Sequence, residues 1–231
     1  DSGIEFLDGI DVCEWNNNFP LEDENGRGAF CGDGSYVQTL RMTRFGLSGT
    51  IPWELSLLSD LSILYLPGNA LSGSIPTEIG QLSALTASAL WGNQLEGEVP
   101  TELGSLSKLT SLDLSDNFLT GTFPTDLGSL TAMTLLQLFN NALTGTLPTE
   151  IGKLSALKTL SLVNNFMTGT LPTHLGNLTA MTILQLLNNS LTGTLPTELG
   201  ELTELEELSV YTNNLTGIFP TELGQMTALQ A

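Results

Sequence analysis

A fixed repeat of 24 residues runs through this sequence and limits what the chain can fold into. Proline recurs at every twenty-fourth position, and a glycine stands three residues before each of these prolines. The prolines are Pro52, Pro76, Pro100, Pro124, Pro148, Pro172, Pro196 and Pro220. Self-similarity at one constant period predicts a solenoid, in which each repeat forms a coil and buries its apolar side chains against the next coil.

The repeat divides the chain into three parts. Eight repeats fill residues 37–228, a non-repetitive segment occupies 1–36, and residues 229–231 begin a ninth repeat, which we expect to continue in a longer protein. In the repeat at 109–132, Leu112 and Leu114 flank Asp113, and this alternation predicts a short strand with both leucines turned inward. Asn117 follows at an inward turn, where a buried amide must bond to backbone groups.

The repeat unit L-x-x-L-x-L-x-x-N-x-L-[ST]-G-x-[ILVF]-P-x-E-[LI]-G-x-L resembles the plant-type leucine-rich-repeat family. The resemblance extends over residues 37–228 without a gap. It implies an α/β solenoid, a right-handed superhelix with a parallel concave β-sheet and short 3-10 or helical convex segments. Two departures from the pattern are Phe45, which replaces the asparagine in the first repeat, and Ser88, which replaces a core leucine in the third.

The segment 1–36 resembles the N-terminal cap of the same family. Cys13 and Trp15 form a Cys-x-Trp motif, and Cys31 precedes a glycine-rich approach to the first strand. The resemblance implies a Cys13–Cys31 disulfide, which would place the protein in a secreted or extracytoplasmic compartment. Two reduced cysteines or a metal-binding pair remain alternatives, although no histidine stands near them.

Composition excludes several kinds of partner. The chain has 25 acidic and 6 basic residues and a formal net charge of -19, which argues against nucleic acid and anionic membranes as ligands. It contains no run of about 18 apolar residues that could span a bilayer. The single histidine, His174, lacks the context of a catalytic triad, and no phosphate-binding loop is present. We therefore predict no enzymatic activity and no cofactor.

One acidic position recurs two residues after each repeat proline, and it has two interpretations. Stacked carboxylates could bind Ca²⁺, but an acid in the first turn of a helical segment also bonds to free backbone N–H groups and complements their dipole. We favour the second interpretation. The column consists of Glu54, Glu78, Glu102, Asp126, Glu150, His174, Glu198 and Glu222.

The concave surface carries the predicted ligand site. Positions beside the inward leucines form an apolar stripe with flanking amides, which suits an extended peptide or a sugar chain. The predicted site residues are Trp91, Leu135, Gln137, Phe139, Val163, Ile183, Gln185, Leu187 and Tyr211. The alternative is that the stripe packs on a neighbouring coil or on another part of the chain.

Two further patterns bear on function. Thr-Gly-Thr recurs at 120–122, 144–146, 168–170 and 192–194, and these rows resemble the ice-binding faces of antifreeze solenoids, although threonine is also common here for structural reasons. Asn177, Asn188 and Asn214 each begin an Asn-x-Ser/Thr glycosylation acceptor. A glycan on Asn188 would obstruct the stripe.

The family resemblance implies an extracellular recognition module without catalytic activity. It points to the ectodomains of plant leucine-rich-repeat receptor-like kinases and to polygalacturonase-inhibitor-like proteins, which bind peptides, proteins or carbohydrates. The alternative is a secreted ice-binding or cell-wall-binding structural protein that uses the threonine rows. Fold alone does not decide between them.

Overall fold

The computed structural model describes residues 28–31, as backbone alone, and residues 36–230. Cys13 lies outside this range, so the Cys13–Cys31 disulfide stays a prediction. In chain order the strands are β1 (Gly28–Cys31), β2 (Val37–Arg41), β3 (Ser48–Thr50), β4 (Ile63–Tyr65), β5 (Ala70–Gly73), β6 (Ala87–Ala89), β7 (Gln94–Glu98), β8 (Ser111–Asp113), β9 (Phe118–Thr120), β10 (Leu135–Gln137), β11 (Thr159–Ser161), β12 (Thr168–Gly169), β13 (Ile183–Gln185), β14 (Ser190–Gly193), β15 (Glu207–Ser209) and β16 (Asn214–Leu215).

The main sheet takes one strand from each of the eight repeats. Its order is β1-β2-β4-β6-β8-β10-β11-β13-β15, and all pairs are parallel except β1 with β2. The parallel pairs keep one register, so that Leu112, Leu136 and Leu160 lie side by side and inward. The predicted parallel sheet is thus confirmed. Strand β1 was not predicted, because it lies outside the periodic part of the sequence.

Short strands also line a second face, beside the main sheet. Strands β3, β5, β7 and β9 form one parallel sheet, and β12, β14 and β16 form another. An isolated parallel bridge between Thr122 and Thr144 lies in the interval between the two sheets. We call this surface the lateral face. The repeat pattern did not predict these strands, since each spans only two to five residues and most contain glycine.

Over residues 36–230, the convex side consists of eight 3-10 helices of five residues, each beginning directly after a repeat proline. They span Trp53–Leu57, Thr77–Gln81, Thr101–Ser105, Thr125–Ser129, Thr149–Lys153, Thr173–Asn177, Thr197–Glu201 and Thr221–Gln225. Each proline has an extended ψ, between 123° and 155°, and so turns the chain from the lateral face into the helix. The proline column therefore marks where each convex segment begins.

Leucines fill the interior, and the asparagine column connects the coils inside it. The Asn165 side chain donates from Nδ2 to the carbonyl oxygens of Leu138 (3.0 Å) and Leu162 (3.1 Å), and its Oδ1 accepts from the Leu143 N–H at 3.0 Å. Asn69, Asn93, Asn117, Asn141, Asn189 and Asn213 bond in the same way. The inward amides are thus satisfied by backbone groups of their own coil and the preceding one.

The two glycine columns have different causes. The glycine before each proline has a positive φ, 77° at Gly193 for example, which side chains rarely adopt. The second glycine lies in the 3-10 helix and touches the next coil, since a Cβ on Gly200 would lie 2.5 Å from the Glu222 carbonyl oxygen. Sequence reasoning found this column but not its role in bringing the coils together.

Candidate ligand-binding surface

Register places the predicted site residues in three columns on the concave face. Leu135 aligns with Thr159 and then Ile183, and Gln137 aligns with Ser161 and then Gln185. Because the intervening strand belongs to the next coil, Leu135 and Ile183 are separated by a threonine and do not touch as neighbours. The sequence therefore overestimated how continuous the apolar surface is in this column.

The third column forms the apolar stripe. Its members are Trp91, Phe139, Val163, Leu187 and Tyr211. The main-sheet strand ends two residues before each, and backbone bonds such as Asn140 N–H to Val163 O (2.8 Å) and Asn164 N–H to Leu187 O (3.1 Å) continue the ladder past the stripe. From Phe139 to Tyr211 one stripe residue projects per coil, about 4.8 Å from the next, whereas Ser115 occupies the coil between Trp91 and Phe139.

The stripe is less exposed than expected. Trp91, Phe139, Val163 and Leu187 are half-buried, and only Tyr211, in the last complete coil, is largely exposed, at 65%. Side chains stacked one coil apart cover one another, which leaves their tips accessible. This arrangement is a ridge of apolar tips.

The amides beside the stripe bond largely to one another. Asn140 donates to Asp116 Oδ1 (2.6 Å), Asn164 donates to Asn140 Oδ1 (2.5 Å), and Asn188 donates to Asn164 Oδ1 (2.6 Å). We call these four residues the amide ladder. All have φ near 53°, and all are exposed. The ladder ends in the Asp116 carboxylate, and each of its three amides donates one of its two N–H groups within the ladder.

The two predicted site glutamines between the inward leucines differ in whether the side-chain amide is already hydrogen-bonded. Gln185 donates from Nε2 to Glu207 Oε1 at 2.7 Å. Gln137 forms no side-chain bond with another described residue, and it is half-buried. Of the predicted amides, Gln137 is therefore the best placed to bond to a ligand.

Asp113, a carboxylate on the concave face, has a raised pKa. Burial raises its pKa above the ordinary value, hydrogen bonds from the Ser115 hydroxyl (2.6 Å) and N–H (3.0 Å) lower it, and the Asp116 charge raises it further. Burial and Asp116 outweigh Ser115. The result is a carboxylate that resists carrying its charge next to the stripe.

The lateral face carries the threonine rows. In the first threonine column, Thr144 and Thr168 donate from Oγ1 to the carbonyl oxygens of Gly121 and Gly145. Their hydroxyls are therefore hydrogen-bonded to the backbone of the preceding coil. The second column is Thr122, Thr146, Thr170 and Thr194, and all four are exposed. Their methyl groups face the glycine of the next coil, and their hydroxyls form no bond with another described residue.

The remaining predicted positions occupy separate surfaces. Asn177 ends a convex helix, Asn188 belongs to the amide ladder and Asn214 begins β16, and all three are exposed. Their glycosylation stays a prediction. In the acidic column, Glu150 has a lowered pKa, chiefly through its own backbone N–H and then the Thr149 hydroxyl, as the dipole interpretation expects. Within residues 36–230, no three metal-ligating side chains cluster.

Family models of the leucine-rich repeat match the sequence of this chain. Residues 125–231 match a leucine-rich repeat region, and residues 60–82 and 108–130 match single leucine-rich repeats. The plant peptide hormone receptor RGFR1, solved in complex with RGF2, is 38% identical over 83% of this chain, with a TM-score of 0.80. The chain belongs to the plant-type leucine-rich-repeat family. No curated protein matches it.

Two more solved structures define the range of similarity. The ectodomain of the Arabidopsis thaliana receptor kinase GASSHO1/SCHENGEN3, in complex with CASPARIAN STRIP INTEGRITY FACTOR 2, is 38% identical over 92% of this leucine-rich-repeat chain, with a TM-score of 0.82. A plant ice-binding protein is 27% identical over 84% of the chain, with a TM-score of 0.62.

Coverage of the relatives differs. This chain covers 30% of RGFR1 and 25% of GASSHO1/SCHENGEN3, but 78% of the ice-binding protein. The chain therefore spans less than a third of the two receptor chains. Among the residues described, no helix has the length and hydropathy needed to cross a membrane.

Proposed function

We propose that this leucine-rich-repeat chain is an extracellular recognition module that binds an extended peptide, or a protein segment, along its concave stripe. The observation that carries the proposal is the ridge of apolar tips, one per coil, with Phe139, Val163 and Leu187 in consecutive coils. The similar protein RGFR1 is a plant peptide hormone receptor, solved in complex with RGF2. An extended peptide can lie along such a ridge and bury side chains between the tips.

The chemistry of the surface suits a peptide better than a charged polymer. The stripe and the ladder between Asn140 and Asn188 are uncharged, so a ligand is held by apolar burial and a few hydrogen bonds, with Gln137 free to contribute one. Burying one large apolar side chain stabilises a complex by about 1.5–3 kcal/mol.

The test is a selection from a random twelve-residue peptide library displayed on phage, followed by calorimetry with the enriched peptides. We expect Leu187→Ser to weaken binding about tenfold, since 1.4 kcal/mol corresponds to a factor of ten. Phe166→Ser is the matched control, because Phe166 is 62% exposed on the lateral face. Equal loss in both variants, or no enriched peptide at all, would contradict the proposal.

A second candidate function is ice binding on the lateral face. It is favoured by the second threonine column, where exposed side chains repeat about 4.8 Å apart with methyl groups fixed on glycine, and by the similarity to a plant ice-binding protein over most of that protein's length. The regular column covers four coils only, since Glu98 precedes it and Ile218 follows it.

Ice binding is tested by thermal hysteresis. If the column binds ice, wild type shapes ice crystals, and Thr146→Tyr with Thr170→Tyr abolishes the effect by breaking the flat surface. Leu187→Ser, on the concave face, should leave it intact. Absence of thermal hysteresis in the wild-type protein would eliminate this candidate and would leave the concave proposal unaffected.

A further inference from the structure

The lateral face carries a column in which large and small side chains alternate. The column holds the residue that follows each inward asparagine, and over four consecutive coils its members are Phe118, Ala142, Phe166 and Ser190. We call these four residues the alternating column. The side chains of Phe118 and Phe166 are 63% and 62% exposed, so most of their apolar surface is uncovered in a single chain.

Backbone hydrogen bonds hold the alternating column in register. Each later member donates its N–H, at 2.8 Å, to a carbonyl oxygen of the preceding coil. The bonds are Ala142 N–H to Leu119 O, Phe166 N–H to Leu143 O and Ser190 N–H to Met167 O. Consecutive members therefore lie about 4.8 Å apart, and the two phenylalanines lie about 9.6 Å apart with Ala142 between them.

The gap over Ala142 has the dimensions of one aromatic ring. Ala142 presents only a methyl group, so the space between Phe118 and Phe166 is open. A ring inserted there lies about 4.8 Å from each phenylalanine, within the range of about 4.5–7 Å that aromatic pairs prefer. Ser190 leaves a similar gap on the other side of Phe166.

The alternating column is complementary to itself in the reverse direction. When a second copy faces the first about a two-fold axis between the coils of Ala142 and Phe166, the coils of the two copies run in opposite order. Phe166 of the second copy then lies over Ala142, and Phe118 of the second copy lies over Ser190. The four rings form one stack with a ring at every coil spacing, and the same patch is used by both copies.

The distribution of charge favours this surface for contact between two copies. The formal net charge of -19 makes two copies repel one another, but the lateral segments 118–122, 142–146, 166–170, 190–194 and 214–218 contain no charged residue. In the reversed arrangement no acid faces another acid. Asp116 faces Asn188 of the second copy, and Glu96 and Glu98 face Thr216 and Ile218 of the second copy.

We propose that the lateral face forms a two-fold dimer of this chain, in which Phe118 and Phe166 of one copy interleave with the same residues of the other. The dimer goes beyond the proposed function, because it assigns a second copy to a surface that the concave stripe does not use. It also covers the threonine column considered for ice binding.

The size of the contact predicts a weak dimer. The five uncharged segments extend about 24 Å along the solenoid and about 16 Å along the strands, which gives a footprint of about 400 Å². Each partner in a standard interface buries about 800 Å². The two copies therefore associate reversibly, and the dimer forms at high protein concentration.

The first test is sedimentation equilibrium of the whole chain at increasing protein concentration, in low and in high salt. The average mass should rise toward twice that of one chain. The rise should be larger in high salt, because screening weakens the repulsion between two acidic copies. A chain that stays monomeric at every concentration in both salts would overturn the proposal.

Substitutions in the alternating column distinguish this ring stack from non-specific apolar contact. Ala142→Phe places a ring opposite Phe166 of the second copy and should weaken the dimer at least about tenfold, although it makes the surface more apolar. The exchange variant, Ala142→Phe with Phe166→Ala, has the composition of wild type and again places each ring opposite a small residue, so the dimer should return. A stronger dimer in the single variant, or none in the exchange variant, would refute the ring stack.

A second pair of variants adds one ring at exposed positions of the same column. Ser190→Phe places its ring opposite Phe118 of the second copy and should abolish the dimer, whereas Gln94→Phe faces Asn214 and should retain it. Equal dimerisation of the two variants would contradict the reversed register. Wild type offers a further measurement, a nuclear Overhauser effect between the Phe118 ring and the Ser190 side chain. These groups lie about 14 Å apart within one chain and meet only between copies.

Discussion

At the scale of single residues, Asp113 shows how the concave face changes the pKa of a carboxyl group. Its carboxylate is half-buried in the sheet, aligned between Ala89 and Gln137. The Ser115 hydroxyl donates to it at 2.6 Å, but burial and the nearby Asp116 charge dominate, so its pKa is raised. The folded protein therefore holds this proton more tightly than the unfolded chain does.

Replacement of Asp113 by asparagine should raise the melting temperature at pH 7. Wild-type stability falls as pH rises from the ordinary pKa of 3.8 through the raised folded pKa, because only the folded state favours the proton there. The asparagine keeps an acceptor for Ser115 and carries no charge. Melting curves between pH 3 and 7 should show the advantage disappearing below pH 4. A lower melting temperature at pH 7 would mean that the Ser115 bonds dominate.

Much at this scale was readable from the sequence, and some was not. The alternation Leu112-Asp113-Leu114 predicted which side chains face inward, because strand geometry fixes it. The amide ladder was not predictable, since Asn164 and Asn188 appeared as free donors until the coil spacing and left-handed backbone placed each beside the next.

At the scale of elements, the 3-10 helix is the close-packed side of the coil. Gly200 approaches the Glu222 carbonyl so closely that a methyl group has no room. Gly224 occupies the same position in the last convex helix, and nothing lies within 4 Å of its hypothetical Cβ. The two glycines thus differ only in whether a following coil covers them.

Gly200→Ala should therefore destabilise the protein by about 1–3 kcal/mol, the range of an overpacked core position. Gly224→Ala is the matched control and should be neutral or slightly stabilising, because alanine reduces the freedom of the unfolded chain. Chemical denaturation measures both. A similar loss in the two variants would show that backbone conformation, and not the neighbouring coil, requires glycine here.

The period predicted the strands and the convex segments, but the lateral strands depended on contacts that one repeat does not encode. Ser190–Gly193 becomes a strand only because the preceding coil presents Thr168 and Gly169 in register. The stripe likewise became half-buried through stacking between coils. Properties that arise between repeats are the ones that single-repeat reasoning missed.

At the scale of the whole molecule, acidic residues lie in register along the convex side. His174 interrupts this column between Glu150 and Glu198. The His174 charge is one of the smaller causes that lower the Glu150 pKa. The acidic side chains, which give the chain its formal net charge of -19, repel one another across the coils. His174 takes the place of one acid in this column and so reduces the repulsion locally.

His174→Glu should lower the melting temperature in 20 mM salt and have little effect in 500 mM salt, because screening shortens the reach of the added charge. His174→Gln removes the histidine without adding an acid and is the control. Scanning calorimetry at the two salt concentrations gives the comparison. A loss that persists at high salt would assign the effect to packing instead of charge.

The contacts between coils have a consequence for how such a chain can lengthen. Each of these glycines, asparagines and strands contacts only its own coil and the coils next to it, and the next coil offers the same partners 24 residues later. Whole coils can therefore be duplicated or deleted with both new junctions already complementary, whereas a single inserted residue shifts every later column. Ligand length can evolve in steps of one coil while the chemistry within each coil stays unchanged.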